Sequence, residues 1–373
     1  MRIAFVTNHD WFFMSHRLPL AMHALERGDE VYLLAIDTGK RQELEQLGIH
    51  FVPIPLNPTG TNPFEDLRCV FSLTRLYTQI KPDIIHHITI KTTLLGCIAA
   101  KLSRQRHVVN AISGFGYAFT DGRQGLMQKI AKVAMRMAFS SKYFSFILQN
   151  PDDFNTIKAL GYVPESNLYL IKGSGVDLKE YCLTPLPEHS VLEILFPARM
   201  LRDKGLLELI EAAGLLKEKL KGKAKFVLAG DCTSTNPTSL KESDLLPLLE
   251  EGYIEWIGYQ KAMKPVYQGC DIVALPSYRE GLPKSLIEAC AIGRPIVTTN
   301  VTGCKECVKD GYNGYLVPAK EAAPLAAAIE KLVNDASLRK TMGEHSRLIA
   351  EKDFSIENVV QKHFEIYQKV TGE

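Results

Sequence analysis

Two glutamates, Glu280 and Glu288, and two basic residues, Arg199 and Lys204, are the side chains of this chain best spaced for chemistry. The glutamates lie in L-P-S-Y-R-E-G-L-P-K-S-L-I-E-A-C-A, residues 275–291. The apolar run 271–275 reads as a buried strand and 277–281 as a short loop. Pro283 then opens a helix, since a proline there gives up no needed N–H. That helix stops at Gly293, a C-cap residue. Glu280 therefore faces a helix N-terminus from the loop, while Glu288 sits inside the helix just over a turn from its start. Two carboxylates beside free amides and a positive dipole end can hold the hydroxyls and the phosphate of one ligand. Arg199 and Lys204 stand in F-P-A-R-M-L-R-D-K-G, residues 196–205, where a strand gives way to a helix. A guanidinium fork and a movable ammonium together suit a diphosphate. A turn at Gly230 and Asp231, after another apolar strand, fits a ligand lying across the sheet edge.

The elements that must position these groups alternate along the chain. Short apolar runs at 3–6, 31–35, 50–54, 83–88, 108–112 and 143–148 read as strands, with helices at 18–27, 63–79 and 92–102 between them. Residues 8–15 read as a loop. Strands that are apolar on both faces, separated by helices, imply a parallel sheet covered on both sides. The rhythm pauses over 172–190, a segment with glycines, prolines and little periodicity, which marks a domain boundary. It restarts with strands at 193–198, 225–229, 254–257, 271–275 and 295–299, and helices at 205–220, 263–268, 319–333 and 337–351. The expected fold is α/β, two Rossmann-like doubly wound domains facing a cleft: residues 1–172 and 191–352. A last helix at 355–371 packs back on the first domain. Such sheets take ligands at the carboxyl ends of their strands.

With 373 residues, two domains are the natural expectation, and 46% apolar with 23% charged residues is an ordinary globular composition. A net charge of +2 gives no reason to expect nucleic acid as a partner. The eight cysteines are scattered, several within apolar runs, which fits reduced thiols in the cytoplasm better than a disulfide framework. Cys304 and Cys307 form one C-x-x-C without a second pair or a nearby histidine, a poor metal site. No apolar run reaches 18 residues and Met1 leads directly into a strand, so neither a membrane span nor a signal peptide is expected.

Arg199 and Lys204 in R-x4-K, followed by E-G-L-P-K-S-L-I-E with Glu280 and Glu288, resemble the retaining glycosyltransferases of family four, which have the GT-B fold. The resemblance runs over essentially the whole chain, including K-G-S-G-V-D at the boundary and T-G-C-K-E-C-V-K-D-G-Y-N-G-Y-L-V-P at 302–318. Within the family the chain is most similar to enzymes that add N-acetylgalactosamine to an undecaprenyl-diphosphate-linked sugar, sharing L-P-S-Y-R-E-G-L-P and the Asn236-Pro237 loop. By position, the resemblance implies that Arg199 and Lys204 neutralise the diphosphate of a UDP-sugar donor, helped by the backbone at Gly281 and Leu282. It implies that Glu280 holds donor-sugar hydroxyls and Glu288 the ribose. It also implies same-face attack, with the leaving phosphate helping to deprotonate the acceptor. No D-x-D triplet occurs, so no metal or other cofactor is expected, the two cations taking that role.

The first domain is assigned the lipid-linked acceptor. His9, in N-H-D-W-F-F-M-S-H where related enzymes often carry glycines, is a candidate for acceptor or phosphate. Ser113 and Gly114 stand where many family members have a histidine and are assigned to acceptor binding. Residues 123–142 hold five basic residues and no acid. Lys129, Lys132 and Arg136 share one face, and Leu126, Ile130, Val133 and Met137 another. A basic amphipathic helix of this kind can lie on an anionic membrane, placing the protein at the inner face of the plasma membrane. Alternatives are transfer of another hexose to another acceptor, nucleotide-sugar epimerisation, or a non-enzymatic sugar-nucleotide-binding subunit. Epimerisation is disfavoured by the absence of a histidine near either glutamate. The presence of all four residues favours an enzyme over a binding subunit.

Overall fold

The computed structural model describes residues 1–372 apart from positions 59, 61, 115–125, 189, 233–235 and 237, with backbone alone at 126–131. The chain divides into two compact units, Met1–Ser174 with Glu357–Glu373, and Gly175–Ile356.

The first unit carries strands β1 (Arg2–His9), β2 (Glu30–Ile36), β3 (His50–Pro53), β4 (Ile84–Ile88), β5 (Val108–Ile112), β6 (Phe144–Leu148) and β7 (Leu168–Leu170). Its helices are α1 (Asp10–His16), α2 (Leu18–Glu26), α3 (Arg41–Gln46), α4 (Pro63–Ile80), α5 (Ile90–Leu102), α6 (Leu126–Phe139) and α7 (Pro151–Leu160). All strands pair parallel in the order β3-β2-β1-β4-β5-β6-β7. Every residue of β4, β5 and β6 is buried, as a sheet covered on both faces requires.

The second unit carries β8 (Leu192–Pro197), β9 (Ala224–Ala229), β10 (Ile254–Trp256), β11 (Ile272–Leu275), β12 (Ile296–Thr299) and β13 (Gly314–Val317). Helices α8 (Leu206–Leu220), α9 (Glu242–Leu245), α10 (Met263–Gly269), α11 (Lys284–Ile292), α12 (Ala322–Asn334) and α13 (Ala336–Ile349) accompany them. The parallel order is β10-β9-β8-β11-β12-β13. The last helix, α14 (Ile356–Thr371), belongs to the first unit. It seats Tyr367 against His86 and Phe364 against His23.

The stretch 8–15 is not a loop. Strand β1 runs on to His9 and α1 follows without a break. Buried Asp10 explains this: its carboxylate accepts from the amides of Trp11, Thr38 and Lys40 and from the Thr38 hydroxyl, and Phe13 fills the core beneath. Elements α3, α7, α9, β7 and β13 have no counterpart among the sequence expectations. Helix α7 had complete signals, with Asn150 as N-cap accepting from the Asp153 amide at 2.8 Å, Pro151 at the first turn and Gly161 left-handed at the end.

Helix α6 differs from its expected orientation. Met135, Ala138 and Phe139 face the core, whereas Val133 and Met137 are exposed, 58% and 70%, beside exposed Lys132 and Arg136. The two apolar residues expected on a separate face thus share one with the cations. Lys129, Leu126 and Ile130 lie outside the described side chains. Among the described residues no helix is long and apolar enough to cross a membrane. All eight cysteines are free, and Cys304 and Cys307 are buried.

Candidate active site

The strand order of the second unit reverses between β8 and β11, which are hydrogen-bonded neighbours with Ile194 opposite Ile272. In doubly wound sheets that reversal opens a crevice at the carboxyl ends of the two strands. Arg199 and Lys204 follow the carboxyl end of β8, and Glu280 that of β11. Two segments remote in sequence are therefore delivered to one crevice by strand pairing.

The contact is direct. Lys204 ends a 3-10 turn, Arg202–Lys204, and its ammonium forms an ion pair with the Glu280 carboxylate. The Ser277 hydroxyl donates to the same Glu280 oxygen at 2.7 Å. Both partners are largely buried, with side-chain exposures of 22% and 12%. Partial burial strengthens such a pair relative to a surface one. Arg199 is exposed, its guanidinium unengaged among the described residues.

The loop between β11 and α11 is braced on both sides. The Tyr278 amide donates to Asp203 O at 2.9 Å, and its hydroxyl donates to Glu208 at 2.5 Å. The Glu280 amide donates to Thr302 O at 3.0 Å. Gly205 and Gly303 have φ of +74° and +83°, and an added Cβ would meet Pro276 O at 2.1 Å and Glu280 O at 2.5 Å. Glycine is needed at both positions for handedness and for space. Leu282 is buried in the hydrophobic core, so anything it offers a ligand comes from its backbone.

Pro283 is the N-cap of α11 and Gly293, left-handed, closes it. Glu288, in the middle of that helix, is buried. Its carboxylate lies 3.5 Å from Lys284, one turn earlier, and near the hydroxyls of Tyr181 and Tyr267, the latter buried without a hydrogen-bond partner among the described residues. Burial pushes the carboxyl's pKa up, while Lys284 and the two tyrosines act against that. Sequence reasoning missed Tyr181, Ser277 and Gly303. Only Gly303 carried a signal, a glycine within a turn.

In the first unit His9 ends β1. Its ring stacks on Trp11 at 5.7 Å, and its Nδ1 is buried without a hydrogen-bond partner among the described residues. Burial lowers its pKa, with neighbouring Asp10 opposing. Ser113 and Gly114 follow β5, which β4 separates from β1, and Gly114 has φ +142°. The rest of that turn lies outside the described residues.

Two family models match the chain, "Glycosyl transferases group 1" over residues 187–348 and "Glycosyl transferase 4-like" over residues 2–145. The N,N'-diacetylbacillosaminyl-diphospho-undecaprenol alpha-1,3-N-acetylgalactosaminyltransferase of Campylobacter jejuni is 27% identical, with 99% of each chain covered. The UDP-Gal:alpha-D-GlcNAc-diphosphoundecaprenol alpha-1,3-galactosyltransferase of Escherichia coli is 26% identical over 91% of this chain and 88% of that one. Among solved structures, Anabaena Alr3699/HepE in complex with UDP and glucose matches with a TM-score of 0.80 at 20% identity, covering 99% of this chain and 100% of that one. WaaG, a glycosyltransferase involved in lipopolysaccharide biosynthesis, matches with a TM-score of 0.74 at 14% identity, covering 100% of both.

Proposed function

The chain belongs to the family-four glycosyltransferases and has their GT-B fold, and from that premise we propose that it is a retaining enzyme acting on a lipid-linked acceptor. The donor is a UDP-N-acetylhexosamine, UDP-N-acetylgalactosamine in the leading form. The product is an α-1,3 linkage to an undecaprenyl-diphosphate-linked sugar, in assembly of a surface glycan such as an O-antigen. The observation that carries this reading is the Lys204–Glu280 pair where β8 and β11 adjoin. The full-length relatives from Campylobacter jejuni and Escherichia coli, both named for undecaprenyl-diphosphate acceptors, support the choice of acceptor.

In this reading Arg199 and Lys204 bind the donor diphosphate and take up the charge that develops as it leaves. The positive end of α11 adds to them through the backbone at Gly281 and Leu282. Glu280 holds Lys204 at its place and accepts from the donor-sugar hydroxyls. Glu288 accepts from the ribose. The C1–phosphate bond breaks and the bond from C1 to the acceptor oxygen forms on the same face. The acceptor proton passes to the leaving phosphate, and UDP departs. Two cations of the chain do the neutralising, so transfer proceeds without a metal.

The acceptor falls to the first unit, with His9, Ser113 and Gly114 as its contacts. The exposed face of α6, with Lys132 and Arg136 beside Val133 and Met137, holds the protein on the inner leaflet of the plasma membrane. The test is transfer from a panel of UDP-sugars to undecaprenyl-diphosphate-linked N-acetylhexosamine, with and without chelator, for the wild type and Glu280→Ala. The expected result is one preferred UDP-N-acetylhexosamine, a chelator-resistant rate, and loss of transfer in the variant. Full activity of Glu280→Ala would refute its donor role, and manganese-restored activity after chelation the metal-free step.

A further inference from the structure

We propose that Trp11 and His9 form the platform on which the acceptor's sugar ring lies, an assignment that rests on the acceptor reading above. The strand order of the first unit reverses between β1 and β4, so its crevice opens at the carboxyl ends of those two strands. His9 is the last residue of β1, and Trp11 stands two residues on, in the first turn of α1.

Trp11 is 49% exposed, although it lies between buried Asp10 and buried Phe13 in sequence. Its ring is nevertheless held. It stacks on His9 at 5.7 Å and 16°, and meets Phe12 edge-on at 5.9 Å and 78°. Its amide donates to Asp10 at 2.7 Å, and Asp10 is itself tied to the amides of Thr38 and Lys40. The result is a flat aromatic face fixed in place while open to solvent. The His9 Nδ1 beside it is buried and has no partner among the described residues. Buried polar atoms are nearly always satisfied, so a nitrogen without a partner among the described residues is an exception that calls for one from outside them. Across the crevice, Thr89 adopts φ 79° and ψ 157°, a conformation rare outside glycine, and bonds Asn8 at 2.9 Å. Strain of this kind concentrates at ligand sites.

A pyranose matches this arrangement. Its axial C–H face is apolar and packs on an aromatic face whose quadrupole is negative. Its rim of hydroxyl or N-acetyl groups offers the His9 nitrogen the hydrogen-bond partner it does not find among the described residues. A free prenyl chain would use the aromatic face but leave that nitrogen unpaired.

The chain has two tryptophans, so in a Trp256→Phe background the emission reports Trp11 alone. We would titrate that protein with farnesyl-diphosphate-linked N-acetylglucosamine and, in parallel, with farnesyl diphosphate. The sugar-bearing compound shifts the emission and the sugarless one does not. Trp11→Ala raises the acceptor KM roughly 3- to 10-fold, leaving kcat and UDP affinity unchanged, and Trp11→Phe recovers most of the loss. An equal response to both compounds, or an unchanged KM in Trp11→Ala, overturns the platform while transfer itself stands. A sugar-specific shift in the Trp256→Phe protein, with no transfer by the wild type, keeps the platform and sinks the reaction assigned to it.

Discussion

Replacing Gly303 with alanine tests whether the position of Glu280 is set by backbone packing. Gly303 has φ +83°, and its added Cβ would lie 2.5 Å from Glu280 O and 2.7 Å from Gly281 O. The left-handed conformation alone costs about 1–2 kcal/mol for an L-residue. Relieving the overlap requires a shift of roughly 0.5 Å to reach the tightest real Cβ contacts and roughly 0.9 Å to reach an ordinary one. Both obstructing atoms are backbone, so the loop that presents Glu280 must move as a unit and strain the Glu280–Thr302 hydrogen bond. Crowding of this kind adds about 1–3 kcal/mol. A displacement approaching 1 Å in a positioning group costs on the order of 100-fold in rate. Gly311→Ala is the control, because Gly311 has φ +70° but open space around its Cβ position. Thermal unfolding and steady-state transfer would be measured on both variants. Both should lose stability, Gly303→Ala the more, and only Gly303→Ala should lose kcat. Equal transfer rates in the two variants would show that backbone packing at Gly303 does not set the position of Glu280, even if both melted early.

Lys204→Ala leaves Glu280 only its Ser277 hydrogen bond among the described side chains; kcat/KM should fall on the order of 100-fold, and adding Glu280→Ala should cost less than the two single losses combined, as a double-mutant cycle would show. Lys132→Gln with Arg136→Gln should weaken binding to anionic vesicles by about 2 kcal/mol, roughly 30-fold, measured by sedimentation, with transfer to a short-chain soluble acceptor unchanged. Stability should also fall on acidification. His86, His87 and His363 are fully buried among Arg17, Tyr77, Asn110 and Tyr367, and burial first holds them neutral, His87 down to about 4 and His363 to about 3, His86 well below the usual value. Their folded pKa values lie below the unfolded one near 6.5, so their contribution is complete above that pH and is lost as pH falls through it, about 1.4 kcal/mol per pH unit for each histidine. Urea unfolding at pH 7 and pH 5 checks this, and a pH-independent midpoint would contradict it.

Much of the secondary structure and the charged half of the site were legible from residue order, because each depended on local chemistry. Runs such as I-I-H-H-I and F-S-F-I-L could only be strands buried on both faces once helical stretches were seen between them. Pro283 and Gly293 bounded their helix through properties of the residues themselves. Elsewhere local signals competed. Residues 8–15 carry polar ends that read as a loop, and their helix depends on Asp10 meeting amides 28 and 30 residues away. On α6, exposed Val133 and Met137 could not be told from packed ones by periodicity. A helical repeat marks an apolar stripe without saying which of its residues meet the sheet.

Residue types and spacing suffice to pick out the groups able to hold a diphosphate and sugar hydroxyls: a guanidinium, an ammonium and two carboxylates at strand ends and a helix start. That Lys204 and Glu280, 76 positions apart, touch is a consequence of how the strands assemble. That contact follows from β8 choosing β11 as its neighbour across the intervening β9 and β10. Strand order is set by how buried faces and crossover helices pack together, and strands apolar on both sides carry no mark of which neighbour they will take. The same holds for Tyr267 and Tyr181 against Glu288, and for Tyr367 against His86, 281 residues away.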